Sequence, residues 1–281
     1  MKKLLTCFFV LFFLSTNNVF AQRKTVYLEP FKGDASIYPE LLTDVRLRIY
    51  DAVAKLGRVT LVDGHNYGTA AAQDVNADYI LRGYLVKAKD GIKMGEKEGE
   101  DVYKVEYDGS MELVDATNGN VIGKINIGGN GSKLIRLPDM SRRDRGYREE
   151  ARRLEDQAAD DAYSDAVSLS GTMVESLIDE NIIIEVRITG ITDAKGDEVK
   201  GVTIDRGTFS GVSHGERFNV FVTENIGNYP KKTKIAELRV NSQPTSHSAT
   251  CKVTSGKKEL KSAMDRNAKL TVVSRKAKFF D

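Results

Sequence analysis

The chain has 281 residues, of which 41% are hydrophobic and 29% are charged. This composition is ordinary for a globular protein and argues against global disorder, while the length predicts two domains. The formal net charge is +2, and it falls to zero if the N-terminal segment that holds Lys2 and Lys3 is removed. A balance of zero argues against a binder of nucleic acid or anionic membranes that depends on bulk charge.

The first 21 residues have the pattern of a secretory signal peptide. Lys2 and Lys3 form a positive start, and the apolar run Leu4–Leu14 that follows is too short to span a bilayer. Val19-Phe20-Ala21 offers suitable residues for signal peptidase, with cleavage before Gln22. We therefore expect export to the periplasm and no integral membrane span in the mature chain. A membrane anchor or a buried helix is the alternative interpretation of this segment.

Cysteine usage agrees with an exported chain that has no disulfide framework. Cys7 lies in the predicted signal, so Cys251 is the only cysteine expected in the mature protein and no intrachain disulfide can form. No small-residue box with a cysteine follows the apolar run, so a lipid-anchored N terminus is not expected. Cys251 lies in a β-like run and is expected to be a buried thiol, with a reactive or pairing thiol as the alternative.

Residues 25–86 show alternating strand and helix patterns. The helix pattern over Tyr38–Leu56 has apolar residues at steps of three or four, begins next to a proline and stops at Gly57. Alternation of strands and helices predicts an α/β or α+β arrangement. The predicted elements are a strand at Thr25–Leu28, the helix Tyr38–Leu56, a strand at Arg58–Val62, a weak helix at His65–Val75 and a strand at Ala77–Val86.

The period then changes to two. After a predicted charged loop over Lys87–Asp101, apolar and polar residues alternate from Val105 to Leu113, which predicts a half-exposed antiparallel strand. Asn118-Gly119 is a strong hairpin turn, and a returning strand is predicted over Val121–Ile127. The stretch Ile127–Asp139 is Gly-rich, and Gly128–Ser132 within it is expected to be a flexible loop or a strand end.

A long helix is predicted over roughly Tyr147–Ile178, with basic residues first and acidic residues after them. This order opposes the helix dipole, which favours acids at the start. We expect a solvated face in which the charges pair at i+3 or i+4; the alternative is a surface for a partner helix or an anionic polymer. The charges are Arg142, Arg143, Arg145, Arg148, Arg152 and Arg153, followed by Glu155, Asp156, Asp160, Asp161 and Asp165.

From Ile182 onward the pattern is all-β, which predicts a small barrel or sandwich. The fold class is therefore predicted to be α+β: an α/β-like N-terminal sheet with packed helices and an antiparallel hairpin, followed by a small all-β domain. The predicted domains cover 22–180 and 181–281, after a signal peptide over 1–21. The predicted strands are Ile182–Ile188, Val199–Ile204, Phe218–Val222, Thr233–Val240, Ser248–Val253 and Lys269–Ser274.

No motif in the sequence carries recognisable catalytic chemistry. The histidines His65, His214 and His247 are far apart and lack metal-ligand spacing. Ser255–Lys258 matches Ser-x-x-Lys without the supporting elements of that enzyme class and is predicted to be a charged β-turn. Gly128–Ser132 lacks the Lys-Ser/Thr ending of a phosphate loop. We therefore predict no enzyme activity, no catalytic, cofactor-binding or metal-binding residue, and no cofactor.

Several segments resemble known envelope proteins. Val26–Phe31, Gly57–Asp63 and the Ala-Asp-Tyr-Ile-Leu-Arg-Gly that begins at Ala77 resemble the fold shared by the curli secretion channel (CsgG-like) and the activators of penicillin-binding proteins (LpoB-like), over roughly residues 25–178. Val202–Gly207, Gly211-Val212, Gly215–Phe218 and Ile235–Leu238 are similar to the C-terminal part of the flagellar protein FlgT. The resemblance implies an assembly or accessory role in the cell envelope rather than an enzyme.

The leading functional hypothesis is a periplasmic, non-enzymatic accessory protein that binds envelope proteins and not nucleic acid. Homo-oligomerisation through the first domain and a peripheral position at the outer membrane are part of this expectation. The expected contact surfaces are the turn Arg206–Glu216 and the charged helix face. One alternative is a subunit of an outer-membrane secretion pore that uses the hairpin Val102–Ile127. Another is a hydrolase or ligand-binding protein whose site gathers His214 or His247 with carboxylates.

Overall fold

The computed structural model describes residues 23–65, 74–94, 100–136, 143–226 and 229–275. The described residues separate into two compact units, an N-terminal unit over Lys24–Ile183 and a C-terminal unit over Ile184–Arg275. The first combines a mixed sheet with two helices, and the second is mainly β. The predicted α+β fold class is therefore confirmed. The predicted signal peptide over 1–21 lies outside the described residues.

The N-terminal unit is built on a six-stranded sheet. The strands run in the order β3-β1-β4-β5-β6, and the short β2 pairs with β4. β1 is parallel to both β3 and β4, whereas β4, β5 and β6 form an antiparallel meander. The elements are β1 Lys24–Leu28, β2 Lys32–Gly33, α1 Pro39–Leu56, β3 Val59–Asp63, β4 Tyr79–Met94, β5 Glu100–Asp115, β6 Val121–Arg136 and α2 Arg145–Asn181.

Helix α1 matches its prediction because its boundary signals are strong. Pro39 occupies the first turn, where a missing N–H costs nothing. Leu41, Val45 and Ile49 recur on one face and are completely buried. Gly57 ends the helix in the left-handed region (φ 64°), and its N–H donates to the carbonyl of Ala54 at 3.2 Å.

The meander is longer than the sequence suggests. The stretch Lys87–Asp101 was expected to be a loop, which was wrong, because β4 continues to Met94 and β5 begins at Glu100. Gly128–Ser132 was expected to be a flexible loop or a strand end, and it lies inside β6, which continues to Arg136. In both places the strand is maintained by inter-strand pairing with β5, which alternating hydrophobicity does not reveal.

Glycines explain how β6 can accept a helix on its face. The long helix predicted over Tyr147–Ile178 is present as α2, and its small residues pack against β6. A Cβ on Gly131 would lie 1.8 Å from the carbonyl oxygen of Ala158, and one on Gly129 would lie 2.1 Å from that of Ala162. Ala158 and Ala162 are themselves fully buried. Only glycine permits a strand and a helix backbone to approach this closely.

The C-terminal unit is a single seven-stranded sheet that curls into a half-barrel. Its strand order is β7-β13-β10-β11-β12-β9-β8. Phe218, Leu238, Cys251 and Leu260 are completely buried in its core. The elements are β7 Glu185–Val186, β8 Ile188–Lys195, β9 Glu198–Ile204, a short 3₁₀ turn at Thr208–Ser210, β10 Arg217–Ile226, β11 Tyr229–Val240, β12 Ala249–Ser255, α3 Lys257–Asp265 and β13 Leu270–Ser274.

Two predictions for this unit were wrong. Ser255–Lys258 was expected to be a β-turn, but helix α3 starts at Lys257 and buries Leu260 against the sheet. The strand expected over Ile182–Ile188 is reduced to β7, and a separate edge strand, β8, follows it. β8 is largely exposed, and its register with β9 shifts at three places. Its polar sequence carries no alternating pattern from which a strand could be predicted.

Other predictions have mixed outcomes. Asn118-Gly119 forms the turn of the β5–β6 hairpin, with Gly119 at φ 73°, as predicted. The weak helix predicted over His65–Val75 lies mostly outside the described residues. Across the part of the chain that the structure describes, no helix is long and apolar enough to cross a membrane.

Candidate functional site

The turn that the sequence singles out, Arg206–Glu216, is tied to a neighbouring loop of the C-terminal unit. The N–H of Thr208 donates to the carbonyl of Thr245 (2.9 Å), and the N–H of Phe209 donates to the carbonyl of Ser246 (3.1 Å). A Cβ on Gly207 would lie 2.1 Å from the Thr245 carbonyl oxygen. Glycine is therefore required for the two loops to meet.

This contact holds an aromatic side chain out in solvent. Phe209 is 58% exposed, and its ring meets the ring of His247 edge-on, with centroids 5.0 Å apart and an interplanar angle of 87°. Such edge-to-face pairs are favourable beyond the area they bury. We refer to Phe209, His247 and the loops 206–216 and 242–248 as the Phe209 surface. It combines exposure with a fixed side-chain position.

The second half of the turn is also fixed by hydrogen bonds. The N–H of Gly215 donates to the carbonyl of Val240 (3.0 Å), and the N–H of Val240 donates to the carbonyl of Glu216 (2.9 Å). The Ser213 hydroxyl donates to the Glu216 carboxylate at 3.2 Å. His214 is exposed at the tip between them. The turn is thus anchored to a second loop near its start and to β11 at its end.

The sequence identified this turn but not its most exposed apolar group. Phe209 stands between Gly207 and Gly211, which has φ 81°, and an aromatic residue flanked by two turn glycines is a signal of an exposed ring. His247, whose ring meets Phe209 edge-on, lies far away in the chain, so this contact depends on the fold. His247 contacts the Phe209 ring and His214 is exposed; the alternative of an enzyme site around either histidine stays a prediction.

A second notable surface is the outer face of the β4–β6 meander. Glu112 on β5 accepts hydrogen bonds from Lys124 on β6 and Arg82 on β4, both at 2.9 Å. These two cations, Lys124 first, hold the pKa of the Glu112 carboxyl below its ordinary value. A groove of about 290 Å³ lies beside this triad and is lined in part by Tyr84 and Ser110.

A similar triad lies farther along the same strands. Glu106 accepts from Lys89 at 2.6 Å and from Lys104 at 3.0 Å. The hydrogen bond from Lys89, followed by that from Lys104, lowers the pKa of the Glu106 carboxyl. Lys104 lies on β5 with Glu106, whereas Lys89 reaches it from β4, and together these pairs give the face a hydrophilic character. The carboxylates of both triads, Glu106 and Glu112, are thus each paired with two cations.

Buried phenol–carboxylate contacts fasten α2 to the meander. The Tyr147 hydroxyl donates to Asp101 at 2.6 Å. The Tyr103 hydroxyl lies 2.7 Å from Glu155 of α2 and also contacts Asp90 of β4. Burial, and then these two carboxylates, raise the pKa of the Tyr103 phenol, because both disfavour a phenolate. These polar groups serve the packing of the helix.

The single described cysteine is inert. Cys251 is completely buried in β12, as predicted, and burial raises the pKa of its thiol to about 12. A thiol that stays protonated at neutral pH is a poor nucleophile.

Grooves of about 420 and 590 Å³ adjoin helix α3, and both are lined by Lys258, Ser262 and Arg266. Among the described residues, no three His, Cys, Asp or Glu side chains are grouped to hold a metal ion.

Comparisons with known proteins give likenesses to solved structures alone. The chain matches no family model and no curated protein sequence. A PelC dodecamer from Paraburkholderia phytofirmans is similar at 17% identity and a TM-score of 0.29, covering 55% of this chain and 87% of that one. The hypothetical protein CT253 from Chlamydia trachomatis is 11% identical with a TM-score of 0.33, covering 57% and 100%. Lipoprotein GNA1162 from Neisseria meningitidis is 14% identical with a TM-score of 0.26, covering 49% and 99%. At these values the likenesses carry no functional conclusion.

Proposed function

We propose that this protein is an exported, non-enzymatic accessory protein of the bacterial cell envelope that works by binding other envelope proteins. The observation that carries the proposal is the Phe209 surface. A large aromatic side chain stands exposed on a loop whose backbone is hydrogen-bonded to the sheet and to a second loop. Aromatic side chains, Phe among them, are enriched at the cores of protein–protein interfaces relative to the rest of the protein surface.

Preorganisation strengthens this interpretation. Binding normally costs the entropy of fixing side chains and loops at the interface. Phe209 is already restrained by its contact with His247 and by the bond from its own N–H to the facing loop. A partner with a complementary apolar pocket would therefore gain most of the burial of the ring without a large ordering cost. The signal-like segment before Gln22 supports a location outside the cytoplasm.

The proposal is tested by site-specific crosslinking in cells that export the protein. A photoreactive amino acid that replaces Phe209 is expected to give a discrete crosslinked product, and the same group in place of Tyr229 serves as the matched control. Tyr229 is 81% exposed on β11 of the same unit. His247→Ala, combined with the photoreactive group at position 209, is expected to weaken the product because the ring loses its restraint.

Fractionation completes the experiment. The mature chain should begin at Gln22 and be recovered with periplasmic proteins. Equal crosslinking from positions 209 and 229 would show that exposure alone determines the result, and the Phe209 surface would then have no special role. Sedimentation with the outer membrane, together with protease protection of Val102–Ile127, would favour the secretion-pore alternative.

A further inference from the structure

Helix α2 carries a row of four exposed charged residues. Arg148, Arg152, Asp156 and Asp160 follow one another at four-residue spacing and are all exposed. None of the four makes an ion pair or a side-chain hydrogen bond with another described residue. Because residues four apart lie next to each other on a helix surface, they form a continuous row, which we call the charged stripe.

The neighbouring charges of the same helix are satisfied locally. Arg145 pairs with Glu149 at 2.7 Å and Arg153 with Glu150, as the sequence predicts for a solvated face. Asp161 pairs with Lys133 of β6. Along the stripe, Arg148 is followed by Arg152 and Asp156 by Asp160, so most neighbours at four-residue spacing carry like charges.

The order of signs along the stripe makes it complementary to itself. Two bases are followed by two acids, so a copy that runs in the opposite direction presents acids opposite bases along the whole row. A parallel copy would place like charges together, which disfavours that arrangement. We propose that the charged stripe is the contact by which a second copy of this chain docks antiparallel on α2, about a two-fold axis that passes between Arg152 and Asp156.

The geometry of helix packing fits this contact. The four residues span about 18 Å at about 1.5 Å per residue. Rows at four-residue spacing on two helices lie alongside each other when the helices cross at about 50°. The two-fold axis then places Arg148 opposite Asp160 of the partner subunit and Arg152 opposite Asp156 of the partner subunit. Symmetry repeats both pairs, so the interface holds four ion pairs.

This inference does not depend on the Phe209 surface, because α2 belongs to the N-terminal unit and the Phe209 surface to the C-terminal unit. Exposed ion pairs are individually weak, so the dimer is expected to be reversible and sensitive to salt. Charge screening extends over about 10 Å at 0.1 M ionic strength and about 3 Å at 1 M. Dimerisation should therefore decline markedly between these two conditions.

The test is analytical ultracentrifugation of the mature chain with charge-reversed variants. Arg148→Glu/Arg152→Glu makes the stripe entirely acidic and is expected to weaken dimerisation at least tenfold. The matched control, Arg145→Glu/Arg153→Glu, changes the net charge equally on the same helix but leaves the stripe intact. It is expected to dimerise like the native chain.

A rescue variant separates the stripe from any general effect of charge. The quadruple variant Arg148→Glu/Arg152→Glu/Asp156→Arg/Asp160→Arg reverses every sign, restores complementarity and should restore the dimer. A mixture of the all-acidic variant with Asp156→Arg/Asp160→Arg should form a heterodimer. A native chain that stays monomeric at about 0.1 M ionic strength would overturn the proposal. So would a dimer or larger assembly that responds equally to the stripe variant and its control.

Discussion

A methyl group on Gly131 would test whether the close approach of β6 and α2 determines the stability of the N-terminal unit. The variant Gly131→Ala places a Cβ 1.8 Å from the carbonyl oxygen of Ala158, 2.7 Å from its carbonyl carbon and 2.8 Å from the amide nitrogen of Ala162. All three are backbone atoms of α2, so no side chain can rotate away. The strand and the helix must separate by about 1.2 Å to reach 3.0 Å, the distance below which Cβ contacts are essentially never found.

The size of the effect follows from two opposing contributions. Inserting a methyl group into a packed interior costs about 1–3 kcal/mol, and the rigid contact places Gly131 in the upper part of that range. Replacing glycine by alanine also restricts the unfolded chain, which stabilises the folded state by about 0.4–1 kcal/mol. We expect a net loss of about 2 kcal/mol in the free energy of unfolding, or a melting temperature lower by about 4–8 °C for a unit of this size.

Circular dichroism is a suitable assay, since the chain has no Trp and its helices lie mainly in the N-terminal unit. Urea titration at 222 nm therefore follows the unit that contains Gly131. The matched substitution is Gly190→Ala in β8, where a Cβ meets nothing within 4 Å. It should leave this transition unchanged. An unchanged or higher midpoint for Gly131→Ala would refute the argument that backbone contact requires glycine there.

Three further predictions concern charged and thiol groups. Asp63→Ala should lower the free energy of unfolding by about 3–5 kcal/mol in urea titration, because it leaves Arg46, a residue only 8% exposed, without its carboxylate partner. Cys251 should resist alkylation by iodoacetamide at pH 8 in the folded chain and react once it is unfolded in urea, since burial raises the pKa of its thiol to about 12. Glu112→Gln should lower the free energy of unfolding by about 0.5 kcal/mol at neutral pH. The difference between the two proteins should disappear at acid pH, as the pH falls below about 4. The reason is that a carboxyl with a lowered folded-state pKa loses its stabilising effect when it is protonated. Parallel titrations of both proteins at pH 3 and pH 7 measure it, and an equal cost at both pH values would contradict the electrostatic explanation.

Local signals predicted the two helices of the N-terminal unit well. The amphipathic row of α1, with Pro39 at its start and Gly57 at its end, contains its own boundaries. Helix α2 is also encoded locally, because its apolar and small residues recur over ten turns from Arg145 to Asn181. Both patterns depend on neighbours in the chain, so the sequence alone suffices to predict them.

The missed elements depend on neighbours that are distant in the chain. The glycines of β6 suggest a flexible loop until α2 is placed against them. The second half of β4 is rich in Lys, Asp and Gly and is a strand because it pairs with β5 over Lys87–Met94. Helix α3 begins with two lysines and buries only Leu260 and Ala263, which leaves too little periodicity for a prediction.

The candidate site also combines features that depend on neighbouring residues in the chain with features that depend on distant ones. The turn Arg206–Glu216 could be proposed from its glycines and charges. The edge-to-face contact between Phe209 and His247 could not be predicted, because backbone hydrogen bonds between two loops bring the two rings together. The unpaired state of the charged stripe is also a property of the fold, because the sequence alone does not show which acids of α2 find a partner on β6.

The half-barrel of the C-terminal unit is open, so β7 and β8 are edge strands through which copies of the chain could associate. An exposed strand edge is a template on which another chain can add a strand and begin to aggregate. β7 offers a template of two residues, Glu185–Val186. β8 is longer, but its three register shifts interrupt the regular spacing of free N–H and C=O groups, and Asp193 and Lys195 place charges along it. Strand addition is thus discouraged at both edges of the sheet, so the unit does not need a further strand or a covering element to protect them.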